Sequence, residues 1–133
     1  MRRADRQVVD AAQIREFLDR MKVIRIGTHD ADGVYVVPMN FCYEWGDDGL
    51  VFYVHSAREG RKVRAFAADP RVCVEIDGDH ELVGADTPCA YSFRYSSLIG
   101  SGEVQPVEES AEKLRIMQML LRHVSGKEFG QFS

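Results

Sequence analysis

The chain of 133 residues is long enough for one domain with a single hydrophobic core, and we predict one domain over residues 1–133. Its 45% hydrophobic and 29% charged residues are typical of a folded globular protein and exclude a disordered one. The formal net charge of −4 disfavours nucleic acids and anionic membranes as partners, because both attract basic surfaces.

Two further features indicate a cytoplasmic protein. The sequence contains no apolar run long enough to cross a bilayer, and its basic start is not followed by the apolar core of a signal peptide. Three cysteines, Cys42, Cys73 and Cys89, lie singly in apolar segments without a CxxC pair. This pattern predicts buried, reduced thiols.

The first half of the chain predicts a helix and three strands. Residues 10–21 have the period of an amphipathic helix, with Asp10 as a typical N-cap. The apolar residues of this helix share one face: Ile14, Phe17, Leu18 and Met21. Three β-rich runs separated by turns follow over residues 23–55 and predict an antiparallel meander.

The second half predicts two helices and two strands. Ser56 and Glu59 have the spacing of a capping box, which predicts a helix from Ser56 to about Ala68. Alternation over residues 72–77 predicts a strand with one buried face, and residues 89–104 predict a long strand with a bulge or sharp bend near Ser97. A third helix is predicted over 108–124. Short strands with peripheral helices indicate a mainly β (α+β) antiparallel barrel.

The start of the second predicted helix is rich in bases. Its cations are Arg58, Arg61, Lys62 and Arg64. Because positive side chains oppose the dipole at a helix N-terminus, an anion is expected there. A phosphate could accept from the Ser56 hydroxyl, the first-turn amides and Lys62, with Gly60 allowing close approach. Solvated charges partly neutralised by Glu59 are the alternative, and the spacing does not decide between them.

The sequence also leaves the roles of His55 and Pro38 open. His55 ends an apolar strand and is expected to contact a cofactor, with proton donation or bonding to strand-end carbonyls as alternatives. Pro38 interrupts a strand and therefore belongs at an edge or bulge. There it would leave backbone groups free for a planar heterocycle, or would simply protect the edge.

No metal site is predicted. The acidic run over residues 75–81 is more typical of a solvated strand end than of a metal site, and residues 30–33 are an incomplete calcium loop. GxSxG, Walker and Rossmann glycine patterns are absent from the sequence, which argues against a serine hydrolase, a nucleoside triphosphatase and a dinucleotide fold. Tyr91, Phe93 and Tyr95 are expected to pack in the core or an interface, with stacking against a planar cofactor as the alternative.

An ordered set of segments resembles a known family. The segments are Arg2-Arg3-x-Asp5-Arg6, Val36-Val37-Pro38-Met39-Asn40-Phe41, Tyr53-Val54-His55-Ser56-Ala57-x-x-Gly60-x-Lys62, Pro70-Arg71-Val72-Cys73 and Tyr95-x-Ser97-Leu98-Ile99-x-x-Gly102. Together they resemble the nitroimidazole-resistance proteins, a branch of the pyridoxamine-phosphate-oxidase-like FMN-binding split barrels.

The resemblance implies a site and an activity. It implies a homodimer with two FMN sites at the subunit interface. The flavin ring would lie along Pro38, Met39 and Asn40, and the phosphate would be held by the His55-Ser56-Ala57 turn and Lys62. The segment around Ser97 would complete the pocket. Similar members are associated with two-electron reduction of nitro groups on imidazoles.

The resemblance leaves other functions open. The chain could be a non-catalytic flavin, haem or small-molecule binding protein on the same scaffold, or an enzyme that uses a deazaflavin or pyridoxamine phosphate. Related chains usually continue beyond the third helix into a strand that helps close the barrel, whereas this sequence stops at residue 133. A more open barrel or a shortened form is therefore expected.

Overall fold

Three helices and five strands occur in the computed structural model, which describes residues 10–83 and 92–126, with only the backbone at 79–83 and 92–95. In chain order they are α1 (Ala11–Arg20), β1 (Val23–Asp30), β2 (Gly33–Gly46), β3 (Gly49–Val54), α2 (Arg61–Ala68), β4 (Arg71–Val83), β5 (Ser92–Glu103) and α3 (Ser110–Ser125). No helix within these ranges is long and apolar enough to cross a membrane.

The strands form one curled antiparallel sheet in the order β3-β2-β1-β4-β5. β2 changes partner along its length, because residues 33–40 pair with β1 and residues 41–46 pair with β3. The predicted meander and the mainly β class with peripheral helices are confirmed.

The main core lies on one face of this sheet. Strand alternation places Ile24 and Ile26 of β1 on that face, where they meet Phe41 of β2 and Ile76 of β4. α1 covers them with Phe17 and Leu18, and its N-terminus is capped by Asp10, as predicted. Each such side chain, when fully buried, contributes about 1.5–3 kcal/mol through the hydrophobic effect.

A second, smaller core forms on the opposite face, between α3 and the β2–β3 hairpin. Cys42 of β2 contacts Ile116 and Leu120 of α3, and all three are buried. Arg115 of the same helix donates two hydrogen bonds to Glu44 of β2, at 2.9 and 3.1 Å. α3 thus has both an apolar and a charged attachment to the sheet.

Two predictions are corrected by strand pairing. The thiol of Cys73 is exposed, because Cys73 alternates with the core residues of β4 and therefore points away from the core. The irregularity near Ser97 is present, but β4 carries the extra residue: pairing passes from Gly78–Ser96 to Glu81–Arg94. Cys89, Tyr91 and the predicted start of β5 lie outside the described residues, as do the side chains of Phe93 and Tyr95.

Candidate functional site

The segment between β3 and α2 runs past an unpaired stretch of β2. Pairing between β2 and β3 ends at Phe41–Val54, so the chain leaves the sheet beside Asn40. The segment reaches α2 at Arg61, whose guanidinium lies 3.9 Å from the centre of the Tyr35 ring. Between these two points β2 pairs only with β1 in the described part of the chain. Residues 55–60 therefore connect a point beside Asn40 to one near Tyr35. Residues 33–40 of β2 pair with β1 alone among the described strands, so the prediction of an edge position for Pro38 is confirmed.

α2 begins later than its sequence pattern predicts. The first helical hydrogen bond joins the Arg64 amide to the Gly60 carbonyl at 3.1 Å, and the Ser56 hydroxyl donates to the Ala57 carbonyl instead of capping a helix. Gly60 has φ 139° and ψ 176°, a conformation that is almost restricted to glycine. Because the backbone changes direction at Gly60, Ser56 is not part of the helix start, and the predicted capping box is wrong.

The N-terminus of α2 has no side-chain cap. The Asp10 carboxylate caps α1 at 2.9 Å from the Ala12 amide, and Glu109 caps α3 through the Ala111 and Glu112 amides. For α2, the structure records no side-chain hydrogen bond to its cap within the described residues. Free amides at a helix N-terminus carry partial positive charge and bind anions, so the head of α2 fits an anionic group.

Arg61 does not contribute a free charge to this helix start. Its Nε donates to Asp30 Oδ2 at 2.7 Å and its Nη2 to Asp30 Oδ1 at 3.0 Å. The Arg61 guanidinium lowers the pKa of Asp30 from 3.8 to about 2. Arg61, one of the four cations predicted at this helix start, therefore binds the β1–β2 hairpin.

The other three bases of the predicted cluster remain without an ion pair among the described residues: Arg58, Lys62 and Arg64. Lys62 is half-buried at the second position of α2, whereas Arg58 and Arg64 are exposed. A half-buried lysine in the first turn of a helix with uncapped amides is a favourable environment for an anion. Lys62 is thus the best placed side chain for this role.

Both ends of α2 are fixed by consecutive residues of β1. Asp30 binds Arg61 at the start of the helix, and the His29 imidazole contacts Asp69 at its end at 2.8 Å. Asp69 also accepts from the Arg71 guanidinium, which together with His29 holds the pKa of Asp69 well below its usual range. The head of α2 is therefore held in a defined position relative to the sheet.

The remaining predicted site residues occupy two separate places. His55 and Ala57 are exposed in the segment after β3, and Asn40 is exposed on β2, whereas Met39 packs against the core. Ser97 pairs with Asp77 on β5, the opposite edge strand of the sheet, which is three strands away from β2 in the strand order.

The face of the sheet opposite the main core, here called the outer face, was not anticipated from the sequence. Arg25 lies at its centre and forms ion pairs with Glu75, at 3.2 Å, and with Asp77. Two of the acids in the run over 75–81 therefore have a cationic partner. In the described part of the chain, no group of three or more His, Cys, Asp and Glu side chains could hold a metal ion.

The outer face also exposes apolar side chains. Val34 is 84%, Val36 59% and Ile99 67% exposed. A groove of about 470 Å³ on this face is lined by Val36, Gly27 and Cys73 and by the ion-paired side chains of Arg25, Glu75 and Asp77. Alternation along single strands predicts which residues point outward, but only the pairing of four strands shows that these residues form one surface.

The curled antiparallel sheet of five strands, together with the three helices, defines a split-barrel α+β protein. A family model described as pyridoxamine 5'-phosphate oxidase matches residues 10–130. The chain belongs to this family. Comparison with curated proteins gives no significant match.

Solved structures share the fold. A candidate 5-nitroimidazole antibiotic resistance protein from Bacteroides thetaiotaomicron is 31% identical, with 94% of this chain and 72% of that chain covered and a TM-score of 0.77. A flavocytochrome from Azotobacter vinelandii is 20% identical, with 86% and 51% covered and a TM-score of 0.71. A FAD- and haem-binding protein from Mycobacterium smegmatis is 17% identical, with 93% and 61% covered and a TM-score of 0.70. The chain thus spans little more than half the length of the last two proteins.

Proposed function

We propose that the chain is an FMN-binding oxidoreductase that reduces a small oxidised substrate, such as a nitroimidazole, as a homodimer. The observation that carries the proposal is the uncapped, basic start of α2 next to the unpaired stretch of β2. The similarity to the candidate 5-nitroimidazole resistance protein over 94% of this chain supports the choice of substrate class.

The phosphate of FMN would be held by the first-turn amides of α2 and by Lys62. The Ser56 hydroxyl adds a donor once it turns away from the Ala57 carbonyl, to which it now donates at 3.0 Å. Gly60 brings the backbone close to the phosphate without a side chain in the way, since a Cβ at this position would meet nothing within 4 Å. A dianion at this point also offsets the unfavourable interaction of Lys62 with the helix dipole.

The ring system would lie along Pro38, Met39 and Asn40. Because residues 33–40 have a strand neighbour on one side only in the described chain, backbone groups on the other side are available to a planar heterocycle. FMN supplies the two-electron transfer to substrate when it is bound. The chain would orient the ring, and His55, which is exposed in the segment after β3, would contact the cofactor or hold a proton.

The homodimer would complete the site. Ser97 lies three strands away from β2 of its own chain in the strand order, and the Ser97 of a partner subunit would instead complete the pocket. The exposed Val36 and Ile99 on the outer face are suited to contact between subunits, because apolar patches of this kind mark association surfaces. Light scattering is expected to give twice the monomer mass of 15.1 kDa.

Flavin titration tests the cofactor assignment. We expect the purified protein to quench the fluorescence of FMN with a saturable curve and to bind FMN at least about tenfold more tightly than riboflavin, which lacks the phosphate. FAD is compared in the same experiment. Equal affinity for FMN and riboflavin would remove the phosphate role of α2, and absence of any flavin binding would remove the function.

Turnover separates an enzyme from a binding protein on the same scaffold. We expect oxidation of NADH or NADPH in the presence of FMN and a nitroimidazole, at a rate that falls to background when FMN is withheld. Tight FMN binding without turnover for either donor would instead support the non-catalytic binding function.

A further inference from the structure

Besides the groove on the outer face, a cavity of about 480 Å³ lies between α1, the end of β2 and α3. It shares no residue with the proposed flavin site. Its volume is in the range of sites for small organic molecules. Both charged and aromatic side chains line it, including Arg15 of α1, Trp45 of β2 and Met119 of α3.

The Arg15 side chain lines this cavity, and its guanidinium makes two contacts with Trp45. Its guanidinium carbon lies 4.7 Å from the centre of a Trp45 ring, and its Nη2 donates to the Trp45 carbonyl at 3.0 Å. Arg15 forms no ion pair with a carboxylate of the described residues. A guanidinium has five N–H donors, so several remain for a planar anion after the bond to Trp45.

The carboxylates that line the same cavity have other partners. Glu44 accepts from both terminal nitrogens of Arg115, at 2.9 and 3.1 Å. Asp19, one helical turn after Arg15, accepts from the Tyr43 hydroxyl at 2.7 Å. Because neither carboxylate engages Arg15, its charge is available to a ligand.

The cavity also has an apolar wall. Trp45, Tyr43 and Met119 are half-buried and line it beside Arg15. Aromatic rings and a thioether of this kind favour a flat apolar body, and Arg15 favours a carboxylate through paired hydrogen bonds. We propose that this cavity binds a small organic carboxylate carrying one aromatic ring, with the carboxylate on Arg15 and the ring against Trp45 and Met119.

Trp45 makes the proposal directly testable, because it is the only tryptophan of the chain. The probe is benzoate, and benzamide is its neutral counterpart of the same shape. Trp45 fluorescence is followed while each is added to the protein as purified. We expect a saturable change with benzoate and binding of benzamide at least about tenfold weaker, because benzamide lacks the charge that Arg15 pairs with.

Matched variants identify the cation. Arg15→Gln is expected to weaken benzoate binding at least about tenfold, whereas Lys113→Gln, which removes a positive charge from an exposed position on α3, should change it less than about twofold. Arg15→Lys keeps the charge without the fork and should lie between wild type and Arg15→Gln. In wild-type protein, benzoate should shift the NMR signals of the Trp45 indole N–H and the Met119 methyl group.

Three outcomes would overturn the proposal: no saturable response to benzoate, equal binding of benzamide, or an Arg15→Gln variant that binds like wild type. The wild-type NMR shifts decide the question independently if Arg15→Gln does not fold. FMN affinity measured with and without benzoate should be the same, since the two sites have no residue in common. Loss of one proposed site therefore leaves the other intact.

Discussion

Thr28 and Tyr35 lie directly opposite each other on β1 and β2, and the hydroxyl oxygens of both are buried without a hydrogen-bond partner in the described part of the chain. Thr28 is 3% exposed and faces the core with Ile24 and Ile26. A buried hydroxyl without a partner costs free energy, because its bonds to water are lost and not replaced.

Thr28→Val is therefore expected to raise the free energy of unfolding by about 1 kcal/mol. Valine has nearly the same shape, and as a β-branched residue it is well suited to a strand. Urea denaturation provides the measurement. Thr28→Ser, which keeps the hydroxyl and removes the methyl group, is the control and should lower stability. Destabilisation by Thr28→Val would indicate that a buried water satisfies the hydroxyl.

The contact between Asp30 and Arg61 predicts a dependence of stability on pH. The pKa of Asp30 is lowered from 3.8 to about 2, so its charged form is favoured by folding. This contribution is complete above the ordinary pKa and is lost as the pH falls through the folded value. The difference in unfolding free energy between wild type and Asp30→Asn should therefore be largest above about pH 5 and shrink towards pH 2. Asp48→Asn, at the exposed β2–β3 turn, is the control and should show no such trend.

Lys62→Ala tests the phosphate site. Loss of one charge-assisted contact is expected to weaken FMN binding by about 1.5–3 kcal/mol. Riboflavin binding should be unaffected, because riboflavin carries no phosphate. Lys113→Ala, which removes the same charge from an exposed position on α3, should leave both affinities unchanged. Wild-type FMN affinity in Lys62→Ala would exclude Lys62 from the site.

Substitution of Gly60 should destabilise the protein because of the backbone conformation at this position. Its φ of 139° is unfavourable for any residue with a Cβ, although the space around it is open. Gly60→Ala is expected to lower the free energy of unfolding by about 1–3 kcal/mol. Gly46→Ala is the matched control, since a Cβ at Gly46 also meets nothing within 4 Å and its φ is ordinary. The free energies of unfolding of the two variants are compared by thermal or urea denaturation. Equal destabilisation by Gly60→Ala and Gly46→Ala would contradict this explanation.

The two described cysteines should differ in reactivity. Burial and the nearby Glu44 raise the pKa of the Cys42 thiol to about 11, so it stays protonated near pH 8, while the thiol of Cys73 is exposed. With a thiol-reactive disulfide reagent, at protein concentrations low enough to give the monomer, Cys73→Ser should lose one rapidly reacting equivalent, whereas Cys42→Ser should keep it. Cys73 lines the outer-face groove together with Val36, so the proposed subunit contact should slow its reaction in the dimer. Rapid reaction of Cys42 and slow reaction of Cys73 in the monomer would contradict the burial assigned to these two thiols.

Several features were predictable because they depend on neighbours in the chain. The apolar face of α1, the cap at Asp10 and the β1–β3 meander follow from periodicity and turn residues. The edge position of Pro38 follows from its missing N–H. Family membership was likewise visible in the order of short segments, and residues 10–130 confirm it.

Other features depended on pairing between distant parts of the chain. Asp30 removes Arg61 from the predicted basic cluster, and Gly60 delays the start of α2, although local spacing predicted otherwise. The separation of Ser97 from β2 follows from sheet order. The cavity at Arg15 and Trp45 exists only where α1, β2 and α3 meet. Periodicity along one segment determines which face of an element is buried, whereas the partner of a charged side chain is decided by the strand or helix that packs beside it.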